Sequence, residues 1–257
     1  MTAIVVEGCD LRLEFLLRMG DNCLVLGHRL SEWCGHTPVL EEDIAIANVS
    51  LDLVGQTQLW LGLAGEVEEK GHSADNLAYL RDAGGFRNFL LVEQPNGSYG
   101  QTLMRQFLFD AWHYFMLRRL EHSSDKRIAE IAEKAVKEVT YHLERSTDLV
   151  IRLGDGTPES RAFMQEALEM LWPYTGQMFD ADSLDDAAIA SGLMPDLADI
   201  RPDWDTQVNR VLKAATLQVP KEAWLHKVGA RSVHTEHLGY ILADMQFLQR
   251  TYPGATW

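Results

Sequence analysis

Between Ile44 and Ala64 the chain is almost wholly apolar, yet Asn48, Asp52 and Gln56 recur inside this run at every fourth position. On a helix that spacing stacks the three side chains into one stripe. The flanking Ile46, Val49, Leu51, Leu53, Val54, Leu59, Trp60, Leu61 and Leu63 leave little polar surface for the stripe to share, so it is expected to point into the interior. Burying a polar group costs free energy unless it meets a partner. Helical bundles place carboxylate-bound metals at such positions, typically as Glu together with Glu-x-x-His on neighbouring helices. This chain has the stripe but not those ligands.

At ~1.5 Å per residue the same run is long enough to cross a bilayer. It carries Asn48, Asp52, Gln56, Thr57 and Gln58, however, and no comparable second span exists, so the expectation is a buried core helix with no membrane role. A first amphipathic helix is expected from about 11 to 34, with Phe15, Leu16, Met19, Cys23, Leu26, Leu30 and Trp33 at helical spacing and a break at Thr37-Pro38. Glu41, Glu42 and Asp43 open the second helix with negative charge, which suits the positive end of its dipole. That helix ends near Glu69.

A turn-rich stretch from His72 to Gly100 follows, within which Phe89–Val92 is either extended or a short helical piece. A third helix over about 101–120 and a fourth over about 126–153, capped by Asp125 and stopped by Gly154-Asp155-Gly156, complete the set. Two tight hairpins joined by one long connection match a ferritin-like four-helix bundle with one long crossover. Shorter C-terminal helices are expected around 158–178, 183–191, 203–215 and 231–251, punctuated by Gly176, Pro195, Pro202 and Pro220. No long linker interrupts the chain, so we expect one all-α domain over 1–257, with a core bundle over about 11–153 and a helical extension over about 157–257.

The net charge of −15 argues against nucleic-acid binding, which needs a basic surface. Cys9, Cys23 and Cys34 form no C-x-x-C pair, so buried thiols in a reducing cytoplasm are expected. Met1–Asp10 has no basic n-region or cleavage signal of a secretory leader. The terminal Trp257 either folds back on the domain or docks on another chain.

A di-iron bundle needs about four carboxylates and two imidazoles converging between four helices. On the second helix, Leu53 and Gln56 stand where Glu and His are wanted. On the fourth, Glu138 is followed three residues later by Tyr141, with His142 one place too late. One residue rotates a helix position by ~100°, so either Glu138 and Tyr141 face the centre or Val139 and His142 do. The third helix offers Gln106, Asp110 and His113, with Asp110 the best inward carboxylate, and the first offers Asn22 and His28. The inventory falls short of a di-iron centre and points to a satisfied hydrogen-bond network. The enzymatic alternative is an atypical metal site built from Asp52, Asp110, Glu138 and His142. His234-Thr235-Glu236-His237 lacks the His-Glu-x-x-His spacing and is expected to open the last helix, with Thr235 as its cap.

Several longer segments carry a resemblance. They are Gly20–His36, Leu51–Gln56, Leu90–Gly97, Asp110–His113, Lys137–Leu143, His234–Gly239, Met245–Arg250 and the Pro-Gly…Trp tail. In order and over nearly the whole chain, these resemble the structural subunit of the bacterial phenylacetyl-CoA epoxidases, the PaaC type. The resemblance implies a ferritin-like, non-catalytic subunit of a multicomponent monooxygenase in phenylacetate degradation. It implies a di-iron catalytic subunit as partner in a heterodimer or higher oligomer, and a separate reductase carrying flavin and iron–sulfur centres. No catalytic, cofactor-binding or metal residue carries over to this chain. The positions Asn48, Asp52, Leu53, Gln56, Asp110, Glu138, Tyr141 and His142 are expected to mark a degenerate site, with Leu53, Gln56 and Tyr141 as its lost ligands. A homodimer of the chain alone stays open.

Overall fold

A computed structural model describes residues 10–220, 225–226 and 231–255. In chain order its α-helices are α1 (Leu11–Ser31), α2 (Leu40–Glu68), α3 (Ala74–Tyr79), α4 (Leu90–Glu93), α5 (Tyr99–Leu120), α6 (Lys126–Gly154), α7 (Pro158–Leu171), α8 (Ser183–Ala190), α9 (Leu197–Ala214), α10 (Glu236–Met245) and α11 (Phe247–Thr251). Short 3₁₀ segments cover Ala83–Gly85 and Trp172–Phe179. The chain forms two compact units, Met1–Pro95 with Gly229–Trp257, and Asn96–Val228.

In the first unit, α1 and α2 pair as a hairpin. A Cβ on Gly20 would lie 2.5 Å from the Leu61 side chain, so the missing side chain is what lets the two helices approach there. Seven residues on, the Ser50 hydroxyl donates to the Gly27 carbonyl at 2.7 Å and pins the register. The helix starts follow local chemistry. The Asp10 carboxylate accepts the Leu13 N–H at 2.9 Å, whereas α2 has no side-chain cap and relies on its acidic first turn, Glu41, Glu42 and Asp43.

The stripe does not behave as its spacing suggested. Gln56 is buried, Asp52 is half-buried and Asn48 is exposed. Four residues turn a helix by ~400°, so a strict four-residue repeat drifts by about 40° per step. Over two steps the stripe slides off the outer face into the core. The inward face instead follows Ile46, Val49, Leu53, Gln56, Trp60 and Ala64, the mixture of three- and four-residue steps that one helix face requires.

The connection after α2 is held by buried charges. Asp21 on α1 pairs with Arg81, both fully buried, and Asp21 Oδ2 also accepts the Arg87 backbone N–H at 2.8 Å. Glu93, also fully buried, accepts from Asn88 Nδ2 at 3.1 Å and from the Thr235 backbone N–H at 2.6 Å, and its Oε2 lies 3.0 Å from His234 Nδ1. These bonds tie the segment before α10 to α4. Phe89 precedes α4, so the ambiguous stretch resolves as one helical turn from Leu90. Thr235 sits at the N-cap of α10 but its side chain makes no capping bond. The Glu93 carboxylate serves its backbone N–H in place of a local cap, a long-range solution that local sequence does not encode.

In the second unit, α5 and α6 form the other hairpin. Asp125 caps α6 as expected, accepting from Arg127 N at 2.9 Å and Ile128 N at 3.3 Å. At the far end, a Cβ on Gly154 would lie 2.4 Å from the Ala215 carbonyl oxygen, so glycine is required where α6 meets the end of α9. Pro202, expected to break the chain, lies inside α9. Its helix persists because Ile200, Trp204, Val208 and Val211 are fully buried, and Trp204 Nε1 donates to the Leu108 carbonyl at 3.0 Å. Tertiary packing there outweighs the missing backbone donor.

Cys23 is buried and Cys34 exposed, so the expectation of buried thiols holds for the first and fails for the second. Cys34 follows the end of α1 in a turn, where no helix covers it. Cys9, most of the N-terminal segment and Trp257 lie outside the described residues. Among the described residues, no helix is long and apolar enough to cross a membrane.

Candidate functional site

Ligand-type side chains collect inside the α5–α6 hairpin. Gln106, Asp110 and His113 follow one another at spacings of four and three along α5, and His142 and Ser146 sit one turn apart on α6. All five are buried. The α5 helix is enclosed along most of its length, so its polar side chains are shielded from water.

Asp110 is the centre of this cluster. Its Oδ1 accepts from Gln106 Nε2 at 2.6 Å and its Oδ2 from Ser146 Oγ at 2.8 Å. Burial pushes the Asp110 carboxyl up to about 6, against the opposing pull of His142, the two hydrogen bonds and Arg145. His113 shows the converse. Burial pushes its imidazole down to about 3, with His142 adding in the same direction, so it is neutral at physiological pH. Among the described residues neither ring nitrogen of His113 has a hydrogen-bond partner, and the ring packs 5.1 Å from that of Phe109.

The remaining expected positions scatter. On α6, Val139 and His142 face inward, which settles the choice between the two pairs. Tyr141 is 49% exposed and Glu138 half-exposed. Tyr141 therefore does not stand in for a lost histidine, because its side chain is rotated about 100° away from the inward line. In the first unit Leu53 and Gln56 are buried, and Gln56 Oε1 lies 3.7 Å from Cys23 Sγ. Asn48 points outward and Asp52 is half-buried.

The donor set does not suit a di-iron centre. Asp110 brings the one carboxylate of this cluster, already engaged at both oxygens. Among the described residues, no group of three or more His, Cys, Asp or Glu side chains is placed to hold a metal ion. What the cluster can do chemically is hold a proton on Asp110 in mildly acidic solution, below about pH 6, and fill the core. His113 is the member whose role spacing alone leaves least defined. A signal for it exists all the same, since Asp110 and His113 stand three apart on the face that Gln106 begins.

An all-α, ferritin-like protein is the class that the fold defines. A family model described as phenylacetic acid catabolic protein matches residues 5–257, and the chain belongs to that family. It is 47% identical over 243 residues to a protein of Escherichia coli (strain K12) named as one of the subunits of 1,2-phenylacetyl-CoA epoxidase, a match that covers 95% of this chain and 98% of that relative.

Proposed function

We propose that this chain is the non-catalytic, structural subunit of a multicomponent phenylacetyl-CoA epoxidase acting in the cytoplasm in aerobic phenylacetate degradation. Its partner is a di-iron catalytic subunit, bound as a heterodimer or within a higher oligomer. The chain itself holds no cofactor, while the partner carries the iron and a reductase carries flavin and iron–sulfur centres.

The observation that carries this reading is Asp110. The buried carboxylate best placed to bind a metal is spent on Gln106 and Ser146. An ionised carboxylate without such bonds is costly to bury, so a ligand position relieved of metal is expected to acquire hydrogen-bond donors or to become apolar, as at Leu53. The close likeness to a protein named as an epoxidase subunit supports the same reading.

Two measurements on tagged chain test it. Iron content should be well below one per chain after purification in the presence of ferrous iron. Co-expression with the di-iron catalytic subunit should yield a stable complex by size and mass, with epoxidase activity lost when this chain is omitted. One tightly held iron per chain, or a catalytic subunit that is soluble and active alone, would overturn the proposal.

A further inference from the structure

The motif His234-Thr235-Glu236-His237 opens the C-terminal segment against Glu93, a fully buried carboxylate at the end of α4. His234 Nδ1 lies 3.0 Å from Glu93 Oε2, and its other ring nitrogen, Nε2, lies 3.1 Å from the Phe86 carbonyl oxygen. Only 5% of the His234 side chain is exposed. A carbonyl oxygen can only accept, so Nε2 must carry a proton. A second proton must lie between Nδ1 and Oε2, because without it two lone pairs would face each other. Whether that proton sits on the ring or on the carboxyl, the pair holds one more than an ionised carboxylate beside a neutral imidazole.

The same segment is fastened at its far end by groups that do not titrate near neutral pH. Gln246 Nε2 donates to the Ala78 carbonyl at 3.1 Å and to the Arg81 carbonyl at 2.9 Å. Arg250 donates to the Arg81 carbonyl at 2.9 Å and pairs with Asp82 at 3.0 Å. Between the two fastenings α10 packs by Leu238, Ile241 and Leu242, all buried. Around the Glu93–His234 pair, α1 brings Arg29, which donates to the Glu93 carbonyl at 2.9 Å. The stretch before α4 brings Arg81, paired with Asp21 and 4.4 Å from the centre of the Phe86 ring. The segment itself brings Arg231, 5.0 Å from the centre of the Phe89 ring, with Glu236 and His237 beyond. Arginines and glutamates at such places hold their charge between pH 6 and pH 9, which leaves His237 as the neighbour to be controlled for.

We infer that the Glu93–His234 pair is a proton-dependent clasp that holds the start of α10 against α4 and loosens it as the pH rises. Losing the shared proton either sets Nδ1 against Oε2 or leaves the Phe86 carbonyl without its donor, beside a buried carboxylate whose charge is no longer balanced. In a released segment imidazole takes its ordinary value of about 6.5. Above that pH the closed state therefore holds a proton that the open state lacks, and opening becomes up to about tenfold more favourable per pH unit. The Gln246 and Arg250 bonds do not respond, so the segment loosens from one end only.

Hydrogen exchange of the full-length chain, followed by mass spectrometry from pH 6 to pH 9 and corrected for the intrinsic rate at each pH, tests the clasp. Protection of a peptide covering 235–242 should fall by about tenfold or more across that range, while peptides from α2 and from 247–251 keep theirs. Glu93→Gln supplies an amide donor to Nδ1 of a neutral ring that still donates from Nε2, so protection should stay high and level with pH. His234→Asn has no ring to titrate, and its 235–242 peptide should be less protected and level with pH. His237→Gln should keep the fall seen in the parent.

A parent profile level from pH 6 to pH 9 would overturn the inference. So would a fall that α2 shares, one that persists in His234→Asn, or one that His237→Gln abolishes. These outcomes are read from the parent and the histidine variants, so they stand even where Glu93→Gln does not fold.

Discussion

The two longest helices, α2 and α6, each span 29 residues and each form the second arm of a hairpin, yet they meet water in opposite ways. On α6 the inward line of Ile128, Ile131, Ala135, Val139, Leu143 and Val150 is backed by Glu130, Glu133, Lys134, Lys137, Glu144 and Asp148. On α2 the exposed side mixes Leu40, Ile44 and Leu51 with the uncharged Asn48 and Gln58. The difference shows that one apolar face is enough to fold a hairpin.

The interiors differ as sharply. In the first unit Asp21 is paired with the Arg81 guanidinium, and Glu93 is met by three donors from Asn88, His234 and Thr235 when the His234 ring donates from Nδ1. In the second unit Asp110 is held by two neutral donors and answers burial with a shifted titration. Paired charges and shifted protons carry different liabilities, and substitutions at each separate them.

The largest effect is expected where a pair is broken. Asp21→Ala strands the Arg81 guanidinium in a fully buried site and should cost about 3–5 kcal/mol, measured by urea unfolding at pH 7. A loss below about 1 kcal/mol would remove the distinction between the two interiors.

Next comes His113, which titrates near 6.5 when unfolded and about 3 when folded. Its contribution is fully present above about pH 6.5 and is lost as the pH falls towards 3, because only the unfolded chain takes up the proton. His113→Phe removes that loss. The variant should gain about 2 kcal/mol relative to the parent on going from pH 8 to pH 5, since one unit of separation is worth about 1.4 kcal/mol. A parallel pair of stability curves over that range would refute it.

Asp110 acts in the other direction. Its folded pKa, about 6, lies above the ordinary 3.8, so its contribution is present below about pH 3.8 and is lost as the pH rises through 6. Asp110→Asn keeps an acceptor for Ser146, and a flip of the Gln106 amide supplies an acceptor for the new N–H. The variant should therefore gain about 1 kcal/mol on the parent between pH 5 and pH 8. An unchanged slope would mean that Asp110 ionises without cost in the fold. The smallest effects belong to the outer faces. Leu51→Glu on α2 and Tyr141→Glu on α6 should each shift monomer stability by less than about 0.5 kcal/mol in the same urea titration.

Much of this architecture was legible along the chain. Long helices, their caps and their short hairpin turns come from local chemistry, so Asp125 at the start of α6 and the acidic opening of α2 emerge where the sequence places them. The inward face of α6 was legible only as a choice between two pairs, because Glu138-Val139 and Tyr141-His142 offer polar residues on two lines. The α2 stripe misled because four residues do not close a helical turn. Asn48 and Gln56 are two steps apart and end on different faces, and only packing decides which face is covered.

By itself the sequence determined the four long helical segments and the acidic charge. These depend on residue type and on spacing within a single element. Tertiary structure alone decided that Asp110 is held by Ser146 from another helix, that Glu93 reaches across to Thr235, and that Leu51 faces solvent while Leu53 is buried. Such facts join residues distant in sequence, or depend on which side of a helix its neighbours occupy. The rotation of an apolar helix is set by what packs against it, and the α2 sequence supplies two faces for its neighbours to choose between.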